Sequence, residues 1–300
     1  MDDGISETID AFHRGRFHII QPKGRGHRAG MDAMLLASLV ADDRPCRIAD
    51  LGAGAGAAGM AVAARLEKAR VTLYERSPEM AQFARRSLEL LDNAAFSARV
   101  EVREADVTLR AKARVEAGLP DDHFHHVIMN PPYNDAGDRR TPDALKAEAH
   151  AMTDGLFEDW IRTAGAIMIP GGQLSLISRP QSVAEIIAAC GSRFGGIEIT
   201  LIHPRPGEDA VRMLVTAIKG SRARLSFRAP LIMHETGSHA FTPLVDDLNN
   251  GRAAYSRNVR QSDPAYKITV TLAACHCVLP GDTYIRVDEV IAVRIDWWVC

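Results

Sequence analysis

No apolar run in the 300 residues reaches the eighteen or so that a membrane-spanning helix needs, and the opening Met1-Asp2-Asp3 has neither the basic nor the apolar region of an export signal. No membrane partner is expected, and the expected location is cytoplasmic. Cysteine is scarce. The five cysteines, at 46, 190, 275, 277 and 300, are odd in number and scattered, so they read as reduced thiols and not as a disulfide framework. Cys275-His276-Cys277 is spaced too tightly for the usual structural zinc site and has no second pair beside it, so no metal is expected. A surplus of charge is missing too. The formal net charge of −2 argues against a protein that coats nucleic acid indiscriminately, and leaves room for a local basic surface.

Such a local bias is present. From Ala11 to Gly30 there is no acid, against five basic residues (Arg14, Arg16, Lys23, Arg25, Arg28) and three histidines. The stretch is a candidate phosphate-facing strip; a solvated N-terminal arm is the alternative. Gly24, Gly26 and Gly30 mark it as loop, and Met31 to Val40 follows as a helix with an apolar face, broken by Asp42-Asp43-Arg44-Pro45. Residues 1–43 are thus expected to form a basic arm and helix ahead of the main domain. A hydrophobic content of 46% gives that domain an ample core.

Arg47 to Leu51 reads as a strand entering a glycine turn, Gly52-Ala53-Gly54-Ala55-Gly56, with a small-residue helix after it. Strand, glycine turn and helix open a nucleotide-binding α/β sheet, because glycine lets the backbone approach a ligand where a Cβ would collide. The next strand, Val71 to Tyr74, ends at Glu75, nineteen residues past Gly56, where a carboxylate suits two ribose hydroxyls. An amphipathic helix from Pro78 to Leu91 and a third strand, Val100 to Arg103, lead to Asp106. Asp106 stands either at a ligand-binding sheet edge or as a helix N-cap.

A fourth strand, Phe124 to Met129, delivers Asn130-Pro131-Pro132-Tyr133 to the same edge. Two consecutive prolines stiffen the backbone and remove two donors. The Asn130 amide oxygen and the Pro131 carbonyl are then placed to accept from one NH₂ group, with Tyr133 as a stacking face. An ordinary turn is the bland alternative. A polar segment, Asn134 to Gly155, is a candidate substrate-ordered lid. Beyond it come a helix from Leu156, a turn at Pro170-Gly171-Gly172, a fifth strand, a helix from Ser182 to Cys190, and two strands, Ile197–His203 and Val211–Ile218. The seven residues between that last pair are too few for a crossover helix, so the pair must be antiparallel. Basic residues outnumber acids from Arg193 to Arg228.

Asp50 two residues before Gly-x-Gly-x-Gly resembles motif I of class I S-adenosylmethionine methyltransferases. With Asp32 followed by Leu35-Leu36, Asn130 to Tyr133, Pro170-Gly171-Gly172 and Arg212-Met213-Leu214-Val215, residues 10 to about 255 resemble the bacterial tRNA(Val) adenine N6-methyltransferase family. The resemblance implies a Rossmann-like α/β fold, a seven-stranded mostly parallel sheet of order 3-2-1-4-5-7-6 with strand 7 antiparallel, in a domain spanning 44–255. It implies a cofactor set of Asp32, Asp50, Gly52, Ala53, Gly54, Gly56, Glu75, Arg76, Asp106, Val107 and Asn130, with Asp50 on the cationic end and Asp106 on the adenine amine. It implies catalysis by Asn130, Pro131, Pro132 and Tyr133, and tRNA as partner, gripped by the basic strip and the 203–228 hairpin region. Protein-glutamine N5-methyltransferases share Asn-Pro-Pro-Tyr, and some relatives are labelled O-methyltransferases, so those acceptors stay open. A non-catalytic binding protein is the remaining alternative. The oligomeric state, monomer or homodimer, is open, and residues 256–300 form an extension with no counterpart in the resemblance.

Overall fold

The computed structural model describes residues 6–23, 29–132 and 155–257. Its centre is one sheet built from β3 (Cys46–Leu51), β4 (Ala69–Glu75), β5 (Val100–Glu104), β6 (Phe124–Met129), β7 (Met168–Ser178), β8 (Phe194–His203) and β9 (Arg212–Lys219), in the order β5-β4-β3-β6-β7-β9-β8. Counted from β3, that order is 3-2-1-4-5-7-6. Only β9 runs against its neighbours in this set, as the short β8–β9 connection requires. Two short strands, β10 (Ser226–Phe227) and β11 (Leu231–Ile232), add to β8 in parallel.

Residues buried on both faces identify a three-layer arrangement. Ile48, Ile128 and Leu214 face one core with α1 (Met31–Ser38), α2 (Ala57–Arg65) and α3 (Pro78–Leu88). Ala49, Val127, Met129 and Val215 face the other, with Phe157, Trp160 and Ile161 of α6 (Leu156–Ile167) and Ile186 of α7 (Val183–Cys190). The short helices α4 (Ala94–Ser97) and α5 (Ala111–Glu116) flank β5 in the chain. On α6 Leu156 is half-buried, while Trp160 and Ala164 are buried. Pro170-Gly171-Gly172, expected as a turn before a strand, is absorbed into β7 as an irregularity of the β6–β7 register. Gly171 takes φ +77° there, which an L side chain resists.

The N-terminal segment is not a free arm. It forms an antiparallel hairpin of β1 (Glu7–Phe12) and β2 (Phe17–Pro22), and β2 is buried at Phe17, Ile19, Ile20 and Gln21. Its edge docks on polar groups behind α3. Ser87 Oγ accepts the Ile20 amide at 2.8 Å, and the buried Asn93 side chain accepts from His18 N and donates to His18 O. The loop reading fails because the apolar run Phe17-His18-Ile19-Ile20 lies between basic residues and glycines that dominate the composition. At the other end, α8 (Pro243–Asn249) is followed by Tyr255, whose amide donates to Ser38 O and whose ring lies under the Arg228 guanidinium. The compact unit continues to Arg257; residues 258–300 lie outside the described residues, with all but two positions of the expected extension. No described helix is long and apolar enough to cross a membrane.

Candidate active site

Strand register collects the candidate residues at one edge. Leu51 is level with Tyr74 on one side and Met129 on the other, and Glu75 is level with Glu104. The next residues to leave the sheet are therefore Gly52, Ala105 and Asn130, beside Glu75. Because Met213 of the reversed strand faces Ser178, Arg212 arrives at the same edge. Carboxyl ends of parallel strands are where such sheets bind ligands.

The glycine turn is held from β4. Gly52 N and Ala53 N both donate to Tyr74 O, and Gly54 N donates to Glu75 Oε2 at 2.7 Å. Ser77 N donates to the other oxygen of Glu75 at 2.8 Å. Glu75 thus braces the turn as well as facing the edge, and each oxygen keeps a lone pair for a ribose hydroxyl. At Gly52, φ is +68° and a Cβ would lie 2.3 Å from Cη2 of Trp160, so only glycine fits against that ring. Above Gly54 a Cβ would meet nothing nearer than Met80 Cε at 3.9 Å. The turn is closed below and open above.

The carboxylates differ. Asp50, expected at the cofactor's cationic end, is 2% exposed and accepts the Gly59 amide at 2.8 Å from the first turns of α2. Burial, and secondarily the nearby Glu75 charge, push its carboxyl up to about 7 against the pull of that hydrogen bond. Asp106 is not a helix cap, since α5 begins at Ala111; its Oδ1 accepts from Thr108 N and Oγ1 in a local turn. Oδ2 of Asp106 has no partner among the described residues, and Ala105 and Val107 beside it are buried. Asp32 is ion-paired to Arg212, Nε to Oδ2 2.9 Å, which ties the first turn of α1 to the start of β9. Arg76 is exposed just after Glu75.

Asn130 is half-buried, Pro131 buried and Pro132 half-buried; Tyr133 and all of the expected lid but Gly155, His150 included, lie outside the described residues. Two neighbours escape sequence reading. Trp160 has helical spacing that marks it as core, with nothing to show that its ring seats the glycine turn. Ser178, buried at the end of β7, carries an Oγ with no hydrogen bond among the described residues, and in the sequence it is only a strand end.

The expected phosphate grip is only partly there. Arg14 pairs with Asp246, Arg205 with Glu208, Lys219 with Asp122, and Arg228 with Glu198. With Arg212 held by Asp32, most cations of the 203–228 region are neutralised within the chain. Arg16 and Lys23 are exposed; Arg25 and Arg28 lie outside the described residues.

The open backbone at Gly54, the carboxylate of Glu75 and the unpartnered oxygen of Asp106 beside apolar Ala105 and Val107 suit an adenosine with a cationic tail. Comparison with known proteins agrees. The model of the methyltransferase small domain family matches residues 29–199. A tRNA1(Val) (adenine(37)-N6)-methyltransferase from Pedobacter heparinus is 26% identical over 208 residues, 69% of this chain and 83% of that one. A release factor glutamine methyltransferase from Deinococcus radiodurans is 31% identical over 149 residues, 47% of this chain and 49% of that one. Among solved structures, one described as a predicted O-methyltransferase from Agrobacterium tumefaciens is 84% identical, covering 76% of this chain and all of that one with a TM-score of 0.68. More than half of the chain fits one family model around a site suited to one cofactor, so the chain belongs to the methyltransferase small domain family and is a class I, S-adenosylmethionine-dependent methyltransferase.

Proposed function

We propose that the enzyme methylates the exocyclic N6 amine of an adenine in tRNA. The observation that carries the reading is the placement of Asn130-Pro131-Pro132 where β6 leaves the sheet, between the glycine turn after β3 and the end of β7. In this reading Glu75 takes the ribose hydroxyls of the cofactor, Asp106 Oδ2 its adenine amine, and the Gly52–Gly56 backbone its amino-acid end. Asp50 acts from beneath, by fixing the start of α2. Arg76 and Asp32 are placed around the same edge, Asp32 as a brace through Arg212.

S-adenosylmethionine, when bound, would supply an electrophilic methyl group on a cationic sulfur, whose carbon–sulfur bond breaks as the acceptor nitrogen takes the methyl and S-adenosylhomocysteine leaves. An amine conjugated with its ring is a poor nucleophile. Asn130 Oδ1 and Pro131 O, accepting one N–H each, favour the more tetrahedral nitrogen whose lone pair points out of the ring plane. The nitrogen becomes acidic only as its new bond to carbon forms, so its proton can pass to water and no strong base is needed. Alignment and preorganised acceptors provide the rate. Pro132 stiffens the loop, and Tyr133 offers the stacking face.

One relative favours a second reading: the Deinococcus release factor glutamine methyltransferase raises a glutamine side chain as acceptor, whose planar NH₂ makes the same two hydrogen bonds. Labelled S-adenosylmethionine is incubated separately with unmodified total tRNA, a release-factor-like protein and small catechols, and products are identified by mass spectrometry. N6-methyladenosine in tRNA is expected. Label in a glutamine residue or a catechol, with none in tRNA, overturns the proposal.

A further inference from the structure

A second basic feature lies at the opposite edge of the sheet, where the parallel strands begin. The entry positions of β3, β4, β5 and β6 carry Arg47, Arg70, Arg99 and His123. Arg47 and Arg70 are register partners on adjacent strands, and Arg99 O accepts the Val71 amide, so three arginines stand side by side. Like charges placed directly opposite are destabilising unless something offsets them. Among the described residues neither Arg47 nor Arg70 has an ion pair to supply the offset. Arg47 donates Nε to His123 O at 2.8 Å, and Arg99 donates to the carbonyls of Ala63, Leu66 and Ala69; these are neutral acceptors. Arg70 is exposed with no ion pair among the described residues. Of the nearby acids, Glu101 is bound to Arg103 at 2.8 Å, and Glu67 acts on Arg99 only through space.

Burial pulls the Arg99 guanidinium below its usual range, with Glu67 pushing against it and Arg70 adding to it, and His123 is lowered by burial, Arg47 and Arg103. Arg47, Arg70, Arg99 and His123, with the Arg103-bound Glu101, line a recess of about 320 Å³ together with Val71, Thr72 and Phe124. That is near the lower end of small-ligand pockets.

We propose that this recess binds a phosphate group, with Arg47 and Arg70 as its principal donors. Arg47 keeps both terminal nitrogens for an oxyanion, Arg70 closes from the solvent side, and Arg99 supplies fixed charge behind them. The source is either a free phosphate monoester or the backbone of an RNA strand, and the site is separate from the methyl-transfer edge and independent of the acceptor assigned there.

Isothermal titration of the full chain, saturated with S-adenosylhomocysteine to fill the cofactor site, tests this with inorganic phosphate, ribose 5-phosphate and a single-stranded RNA lacking terminal phosphates. Ribose 5-phosphate is expected to bind the wild type and to bind Arg47→Gln/Arg70→Gln about tenfold or more weakly. Arg222→Gln/Arg224→Gln is expected to bind like the wild type. If only RNA binds, and its salt slope falls by about 1.4 in the Arg47/Arg70 variant, the phosphate belongs to an RNA backbone. A thermal readout excludes a merely structural role: without phosphate, Arg70→Gln melts at or above the wild type, and with phosphate it melts below. Absence of binding by every ligand, or undiminished binding by the Arg47/Arg70 variant, overturns the proposal.

Discussion

Asp50 shows how one buried carboxylate reports on the site. In the unfolded chain it ionises near pH ~3.9, whereas burial in the native state holds it up to about 7. Between those values the native state keeps a proton that the unfolded state has lost. The stability contributed through Asp50 is therefore present below about pH 4 and falls as pH rises towards about 7. Asp50→Asn keeps an oxygen for the Gly59 amide and removes this dependence. From about pH 5 to about pH 7.5 the urea midpoint of the cofactor-free wild type should shift downward relative to that of the variant, since the depressed His13 and His126 act on both alike, and identical shifts refute the account. Asn130 is the residue assigned to the acceptor amine. Asn130→Ala is expected to lower kcat on the order of 10²- to 10³-fold, as loss of one oriented polar partner does elsewhere, with S-adenosylmethionine affinity nearly unchanged. Wild-type turnover would sink its assignment. Both residues are legible in the sequence, because Asp50 stands two residues before a glycine turn and Asn130 before two prolines. The partners that hold Asp50, Glu75 and Asp32 are not legible. Gly59, Gly54 and Arg212 reach them only after the chain folds, and the Arg212 contact spans 180 residues.

At the scale of elements, alternation and glycine punctuation locate β3, β4, β6 and β9 to within a residue or two. They miss the N-terminal hairpin. Its inner strand has no clear period of two, since Phe17, Ile19, Ile20 and Gln21 are all buried, and the strand is stabilised by polar docking that no local pattern encodes. Asn93 is the centre of that docking. Fully buried, it accepts from His18 N at 3.0 Å and donates to His18 O and Ser87 O at 2.7 Å each. Asn93→Ala strands a donor and two carbonyls away from water, and an unpaired buried polar group costs about 1–3 kcal/mol. A loss on the order of 3 kcal/mol is expected by denaturant unfolding. A change below about 0.5 kcal/mol would mean that water replaces the amide, and that the hairpin is held by Phe17 and Ile19 alone. Trp160 against Gly52 illustrates the same limit on the opposite face. Helical spacing identifies a buried tryptophan, and only the fold shows that its ring occupies the space a Cβ would need.

For the molecule as a whole, the one antiparallel pair was legible because its connection is too short for a crossover helix, whereas the strand order was implied by the family resemblance and not by any connection length. Charge was less legible. Counting basic residues from 193 to 228 suggests a phosphate-binding surface, yet Arg205, Arg212, Lys219 and Arg228 meet acids from their own loop or from distant parts of the chain. Reversal of β9 also sends the segment after Lys219, with Arg222 and Arg224, to the edge opposite the methyl-transfer site. Lys23 is exposed at the end of β2, and the N-terminal strip leads into α1, whose first turn is pinned at the carboxyl edge by the Asp32–Arg212 pair. If tRNA is the substrate, Lys23, Arg25 and Arg28 should carry the salt dependence of binding. Each phosphate contact contributes a slope of roughly −0.7 to −0.9 in log–log plots. Lys23→Gln/Arg25→Gln/Arg28→Gln should therefore flatten the slope by about 2 to 3, whereas Arg222→Gln/Arg224→Gln should leave it unchanged during productive binding measured by KM. Equal effects of the two variants would mean that RNA is held without regard to the methyl-transfer edge, and a flat response in the wild type would shift the acceptor to a glutamine or a small molecule.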